Sequence, residues 1–180
     1  MTLISLSATA QTFLESIEAP REALRLTDGW RFTREDSSDF VRPDYDDRSW
    51  QSVTVPHDWA IYGPFSPEND RQNVAITQDG QTEALEHAGR TGGLPFVGVG
   101  WYRYHFDLHQ DPSTLGDITL YIDGAMSHSE VYVNGHRAGG WPYGYNSYYL
   151  DITPYLDPSK TRQVIAIRLD NPTDFSRWYP

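Results

Sequence analysis

His57 and Asp58 stand side by side in the chain, and a histidine beside an aspartate is the pairing that general-base catalysis uses to hold an imidazole in one tautomer. Adjacent residues of an extended strand point to opposite faces, so these two cannot orient one another, and no nucleophile signature accompanies them. A structural role is expected for both. His105 and His109 would share one face of a helix, but they fall in a stretch of period two. There they share a sheet face about 13 Å apart at roughly 3.3 Å per residue, too far for one metal ion. A metal-binding jelly roll would want histidines two apart with a following glutamate, which the sequence lacks. Neither a metal nor a cofactor is expected.

Other residue types point toward sugars. Trp141-Pro142-Tyr143-Gly144-Tyr145 offers aromatic faces that stack on the C–H face of a pyranose, with tyrosine hydroxyls and Asn146 to bond its hydroxyls. The competing reading is that Trp141, Tyr143 and Tyr145 close one end of a hydrophobic core. Sugar hydrolysis itself needs two carboxylates, roughly 5 to 5.5 Å apart in retaining enzymes. Acidic residues are many, but most cluster in loops such as Asp44 to Asp47, and sequence spacing sets no two across a cleft. No catalytic residue is assigned in this chain. Thr91-Gly92-Gly93 and Gly98-Val99-Gly100 have neither the Lys-Ser or Lys-Thr ending nor the following helix of a phosphate loop; they read as flexible backbone that lets another group approach closely.

The elements that must position these residues are strands. Tyr102, Tyr104, Phe106 and Leu108 alternate with Arg103, His105, Asp107 and His109, the pattern of a half-buried strand. Ile118, Leu120 and Ile122 repeat it, and Val131 and Val133 lead into Asn134-Gly135, the strongest short hairpin signal there is. Tyr148 to Ile152, Val164 to Leu169, Trp30 to Phe32 and Ser52 to Val55 complete the expected set, with no long amphipathic helix after residue 30. The stretch from Ala60 to Gly100 is polar, rich in Gly and Pro and with little period, so it reads as one long connection, either functional or mobile. The 180 residues suit one core, an all-β sandwich of the jelly-roll kind.

Composition excludes several partners. With 14 basic against 25 acidic residues the net charge is −11, which repels nucleic acid and acidic membranes. No run approaches the roughly 18 to 20 apolar residues that span a bilayer. The absence of cysteine removes disulfides and thiolate chemistry. Leu3, Ile4 and Leu6 followed by SATAQ resemble the back half of a secretory signal, though without its basic front; on that reading the protein is periplasmic or secreted, and otherwise this is an ordinary N-terminus of a cytoplasmic protein. Residues 1–27 are expected to form an arm, with a helical turn or two at most.

Taken together, DGWRF at 28–32, DDRSWQSVTVPHDW at 46–59, GVGWYRYHF at 98–106, ITLYIDGAMSHSEVYVNGHRAGG at 118–140, YGYNSYYLDIT at 143–153 and VIAIRLDNPTDFSRWYP at 164–180 resemble the N-terminal sugar-binding domain of glycoside hydrolase family 2. PHDW and RWYP look most like its β-galactosidase branch. The resemblance covers most of residues 28–180 and implies a jelly-roll, galactose-binding-domain-like β-sandwich. It also implies continuation through a Gly-Ser-Gly-Ile-Tyr-Arg-like motif into an immunoglobulin-like domain and a (β/α)8 barrel with two catalytic glutamates. A barrel alone needs about 250 residues. The chain is therefore expected to be one inert domain cut from a larger retaining enzyme.

The same resemblance assigns roles. Asp170 or Asn171, in the corner after the last strand, is expected to touch sugar, and Arg177 and Trp178 either touch it or pack on the next domain. Metal ligands in relatives come largely from the barrel, so none is carried over. The implied partners are a β-galactoside-like carbohydrate, bound weakly by the isolated domain, and the remaining parent domains. Two alternatives stay open: an autonomous carbohydrate-binding module on Trp141, Tyr143 and Tyr145, and a purely architectural domain whose Phe175 to Tyr179 segment self-associates when exposed.

Overall fold

The computed structural model describes residues 23–62, 64–66, 68, 71–88 and 97–171. The arm is thus described only from residue 23, and the signal-like stretch, Thr91 to Gly93 and Phe175 to Tyr179, with Arg177 and Trp178, lie outside the described residues. Ten strands occur among them: β1 Trp30–Thr33, β2 Gln51–Val53, β3 Arg71–Val74, β4 Leu85–Ala88, β5 Gly98–Asp107, β6 Thr119–Ile122, β7 Ser129–Val133, β8 His136–Trp141, β9 Tyr148–Asp151 and β10 Arg162–Asn171. Six of them form one antiparallel sheet in the order β2-β1-β5-β10-β7-β8, while β6 pairs with β9 and β3 with β4. The described residues contain no α-helix, only short 3-10 turns.

Period-two patterning decides the inner face. Trp30 and Phe32, Tyr102, Val131 and Val133, and Ile165, Ile167 and Leu169 all project to one side of the large sheet and meet Leu120 and Tyr148 of the β6–β9 layer, with Ile152 and Leu156 beside them. Burying each such side chain is worth about 1.5–3 kcal/mol relative to exposure, which makes this layer contact the main stabilising term. The Asn134-Gly135 signal holds: both residues have left-handed backbone, φ 49° and 88°, as the tight turn joining β7 to β8 demands.

Two expectations need correction. The strand β5 is not half-buried: Trp101, Tyr102 and Arg103 are all buried, because the segment after β1 folds back over the outer face of the sheet. Phe40 from that segment packs edge-on with both Trp50 and Trp101, and with Ala166 these form a second apolar cluster. Under it Arg103, with no exposed surface, donates to Asp47 Oδ2 at 2.8 Å and to the carbonyls of Phe40 and Arg42. The second correction concerns residues 60–100, expected as one irregular connection. They contain the β3–β4 hairpin, with a 3-10 turn at Thr77–Asp79 between its strands and an Arg71–Glu86 bond of 3.0 Å across it. This hairpin leaves Leu85 half exposed and pairs with no other sheet, so no apolar alternation was needed to form it.

Candidate functional site

Antiparallel order brings distant segments to one end of the large sheet. The N-terminal end of β5, the C-terminal end of β10, the N-terminal end of β7 and the C-terminal end of β8 all lie there, because each strand runs against its neighbour. The chain between Ala60 and Gly98 returns to the sheet at that same end, through Gly98.

Asp170 and Asn171 do not form a corner. The ladder between β10 and β5 continues through Asp170↔Val99 and Asn171↔Gly98, so both residues are still in the strand and point to opposite faces. Asp170 faces the outer side, where Arg168 Nη1 approaches its Oδ2 at 3.3 Å and spans to Asp36 at 2.9 Å. Hydrogen bonds from Arg168, against a smaller opposing effect of burial and helped by Trp101 Nε1, hold the Asp36 carboxyl below the ordinary carboxylate range. Asn171 turns inward and is 9% exposed. Only one of the two can face a ligand from any given side.

Trp141, Tyr143 and Tyr145 do not close the core; they are 42%, 41% and 57% exposed. Trp141 lays its ring on the buried Tyr148, with centroids 6.4 Å apart and planes 24° from parallel, and Tyr143 leans on Tyr145 at 5.6 Å. Ser129 fixes this arrangement, since its hydroxyl bonds Tyr148 Oη at 2.7 Å, reaches the Trp141 carbonyl at 2.9 Å and accepts from Trp141 N–H at 3.0 Å. Ser129 is buried, so its loss strands those groups. The substitution Ser129→Ala is expected to cost about 1–3 kcal/mol, read as a lower urea midpoint, with changed resonances for the Trp141 indole.

Sequence reasoning missed the segment that joins Asp170 to these rings. Ser127 accepts from Asp170 N–H at 2.9 Å through its carbonyl and donates its hydroxyl to the Asp170 carbonyl at 2.8 Å, while His128 N–H donates to the Pro142 carbonyl at 3.0 Å. Gly144 lies against Met126; a Cβ added there would sit 2.6 Å from its sulfur. Residues 126–129 thereby bind β10 and the aromatic loop into one surface. The only sequence signal was a small polar run, Ser-His-Ser, where a strand was due to begin.

The histidines first considered for chemistry are otherwise engaged. His57 and Asp58 lie beyond β2 rather than in a strand. The His57 ring bonds Tyr102 Oη at 2.8 Å, while Asp58 caps Ala60 N–H at 2.9 Å, so they make no dyad. Burial pushes the His57 imidazole below its usual value and raises the Tyr102 phenol, so the contact joins a neutral ring to a neutral phenol. His105 Nε2 lies 2.7 Å from Asp47 Oδ2, and His109 lies past the end of β5. Among the described residues, no group of three or more His, Cys, Asp or Glu side chains could hold a metal ion.

The large sheet and its β6–β9 cover define an antiparallel β-sandwich of the galactose-binding-domain-like kind. No protein-family model matches the chain. Over 166 residues, 91% of this chain, it is 37% identical to the β-galactosidase BoGH2A of Bacteroides ovatus, of which it spans 17% of the length. A glycosyl hydrolase family 2 member from Bacteroides cellulosilyticus superposes with a TM-score of 0.67 at 27% identity, covering 87% of this chain and 19% of that one. A β-glycosidase from Bacteroides vulgatus superposes with a TM-score of 0.66 at 29% identity, covering 88% of this chain and 18% of that one. The chain belongs to glycoside hydrolase family 2 and corresponds to the N-terminal domain of its β-galactosidase and β-glucuronidase enzymes.

Proposed function

We propose that this chain is the non-catalytic N-terminal domain of a retaining β-galactosidase-type glycosidase, serving as architecture and as one edge of the sugar site. The observation that carries this is the match of nearly the whole chain, 91%, to a sixth of a β-galactosidase. The gathering of Asp170 and the Trp141–Tyr145 rings at one sheet end supports the sugar-edge role: a carboxylate orients hydroxyls, and the exposed rings take C–H faces. Fixing orientation in this way contributes to rate without supplying an acid or nucleophile. The parent enzyme, on this reading, hydrolyses terminal β-glycosides.

Two measurements test it. The isolated chain should not turn over a chromogenic β-galactoside, and activity abolished by substitutions within the chain would refute the non-catalytic assignment. Titrating the ¹⁵N-labelled chain with methyl β-galactoside to high millimolar concentration should shift resonances of residues 127–128, 141–145 and 170–171. Shifts scattered over the surface would leave only the architectural role. The exposure of Trp141, Tyr143 and Tyr145 favours one second reading, a self-sufficient carbohydrate-binding module, which requires the same shifts to saturate at low millimolar sugar.

A further inference from the structure

We infer that His128 is a further sugar-contacting residue, presenting a bare ring nitrogen as acceptor to a hydroxyl of a neutral hexopyranoside held between Asp170 and the Trp141–Tyr145 loop. The inference rests on the sugar-edge reading above.

Register places His128 first. The β10–β7 ladder runs Ile165↔Val133, Ala166↔Tyr132, Ile167↔Val131, Arg168↔Glu130, and carrying that register two steps further would set His128 opposite Asp170. The ladder does not continue regularly. Asp170 N–H is taken by the Ser127 carbonyl, and His128 adopts left-handed backbone with φ 45°. A non-glycine residue in that region costs energy and persists only where its surroundings hold it. Here the holder is Pro142, whose carbonyl accepts His128 N–H at 3.0 Å. The histidine is therefore strapped between the two groups of residues already implicated in sugar contact.

Proton counting then assigns its tautomer. The Ser127 hydroxyl has one hydrogen, and at 2.8 Å from the Asp170 carbonyl, which can only accept, that hydrogen is committed. Ser127 Oγ also lies 3.0 Å from His128 Nδ1, so in that contact the oxygen accepts and Nδ1 carries the proton. A neutral imidazole protonated at Nδ1 has a lone pair at Nε2. His128 is exposed, and no hydrogen bond to its Nε2 occurs among the described residues. Arg168, on the outer face two residues before Asp170, is occupied by Asp36 and Asp170. A bare imidazole nitrogen, which can only accept, suits a hydroxyl donor on an uncharged ring.

The test uses the ¹⁵N-labelled chain and methyl β-galactoside. Long-range ¹H–¹⁵N spectra of the neutral imidazole should show the proton on Nδ1; a proton on Nε2 overturns the inference. Glycine suits φ 45°, so His128→Gly should fold with an unchanged or higher melting temperature while binding the sugar about fivefold to tenfold more weakly, the worth of one hydrogen bond. His128→Asn also suits left-handed backbone and keeps an acceptor, and should retain most of the affinity. If the native chain binds and both variants bind equally well, the inference alone fails. If the native chain shows no shift at Asp170 or the 141–145 loop, the sugar-edge reading fails and takes the inference with it.

Discussion

Replacing Asp47 by alanine should destabilise the chain by about 3–5 kcal/mol, measured as a fall in the urea midpoint at neutral pH, because it leaves a buried cation without its counter-charge. Arg103 has no exposed surface, and its guanidinium reaches Asp47 at 2.8 Å while lying 5.6 Å from the centre of the Tyr45 ring. Its Nη2 and His57 Nε2 are the two buried side-chain polar atoms without a hydrogen bond among the described residues, and once Asp47 is gone the guanidinium keeps only the neutral carbonyls of Phe40 and Arg42 as acceptors. The neighbouring Asp46 is a control. It makes a closer ion pair, 2.6 Å to Arg48, but the two side chains are 58% and 87% exposed, and Asp46→Ala should leave the midpoint unmoved.

Acid should tell the same story. Burial pushes the Asp47 carboxyl up, but hydrogen bonds from His105 and Arg103 outweigh it and hold the group below its ordinary value. A carboxylate depressed by folding contributes stability above its unfolded pKa of about 3.9 and loses it as pH falls through the lower folded value. The native chain should therefore lose stability below about pH 4, with a steeper slope there than Asp47→Ala. Equal slopes would show that the Asp47 cluster is not what acid unfolds.

Gly100→Ala should be nearly as damaging, by about 3–5 kcal/mol, the scale of losing a buried tryptophan. An added Cβ would sit 1.2 Å from Trp59 Cζ3 and 2.1 Å from Cε3, a clash with the middle of a ring rather than with a flexible end. Trp59 is 7% exposed, packs 5.4 Å from Phe32 and 6.4 Å from Tyr102, and accepts from Arg34 Nη2 through its carbonyl at 2.8 Å. The indole must leave the core if the methyl is to stay. Thermal unfolding of the double variant Trp59→Ala/Gly100→Ala is the decisive measurement: once the ring is gone the methyl has room, so the double variant should be no less stable than Trp59→Ala alone. Additive losses would mean that Gly100 matters for its backbone and not for the indole.

Much of the fold was legible because burial on one face writes itself as alternation. Val131 and Val133, or Ile165 and Ile167, betray their strands without help from any neighbour, and Asn134-Gly135 names its turn because few residues accept left-handed backbone there. The β3–β4 hairpin was illegible because it stands clear of the core and so carries no apolar period. Arg103 read as solvent-facing because alternation says which face a residue takes and nothing about what covers that face. The cover comes from Phe40 and Trp50, more than fifty residues away in sequence.

The site divides along the same line. Residue types alone pointed to Trp141, Tyr143 and Tyr145 as rings suited to a sugar face, the ordered segments from DGWRF to RWYP determined the family, and the resemblance then singled out Asp170 and Asn171; all of this depends only on what the residues are and in what order they come. Tertiary structure decided that Asp170 faces out while Asn171 faces in, that the aromatic rings are exposed, and that Ser127 and His128 bind the two into one surface. Those outcomes follow from register and from hydrogen bonds between strands some forty residues apart, and a one-residue slip in pairing would reverse every one of the facings.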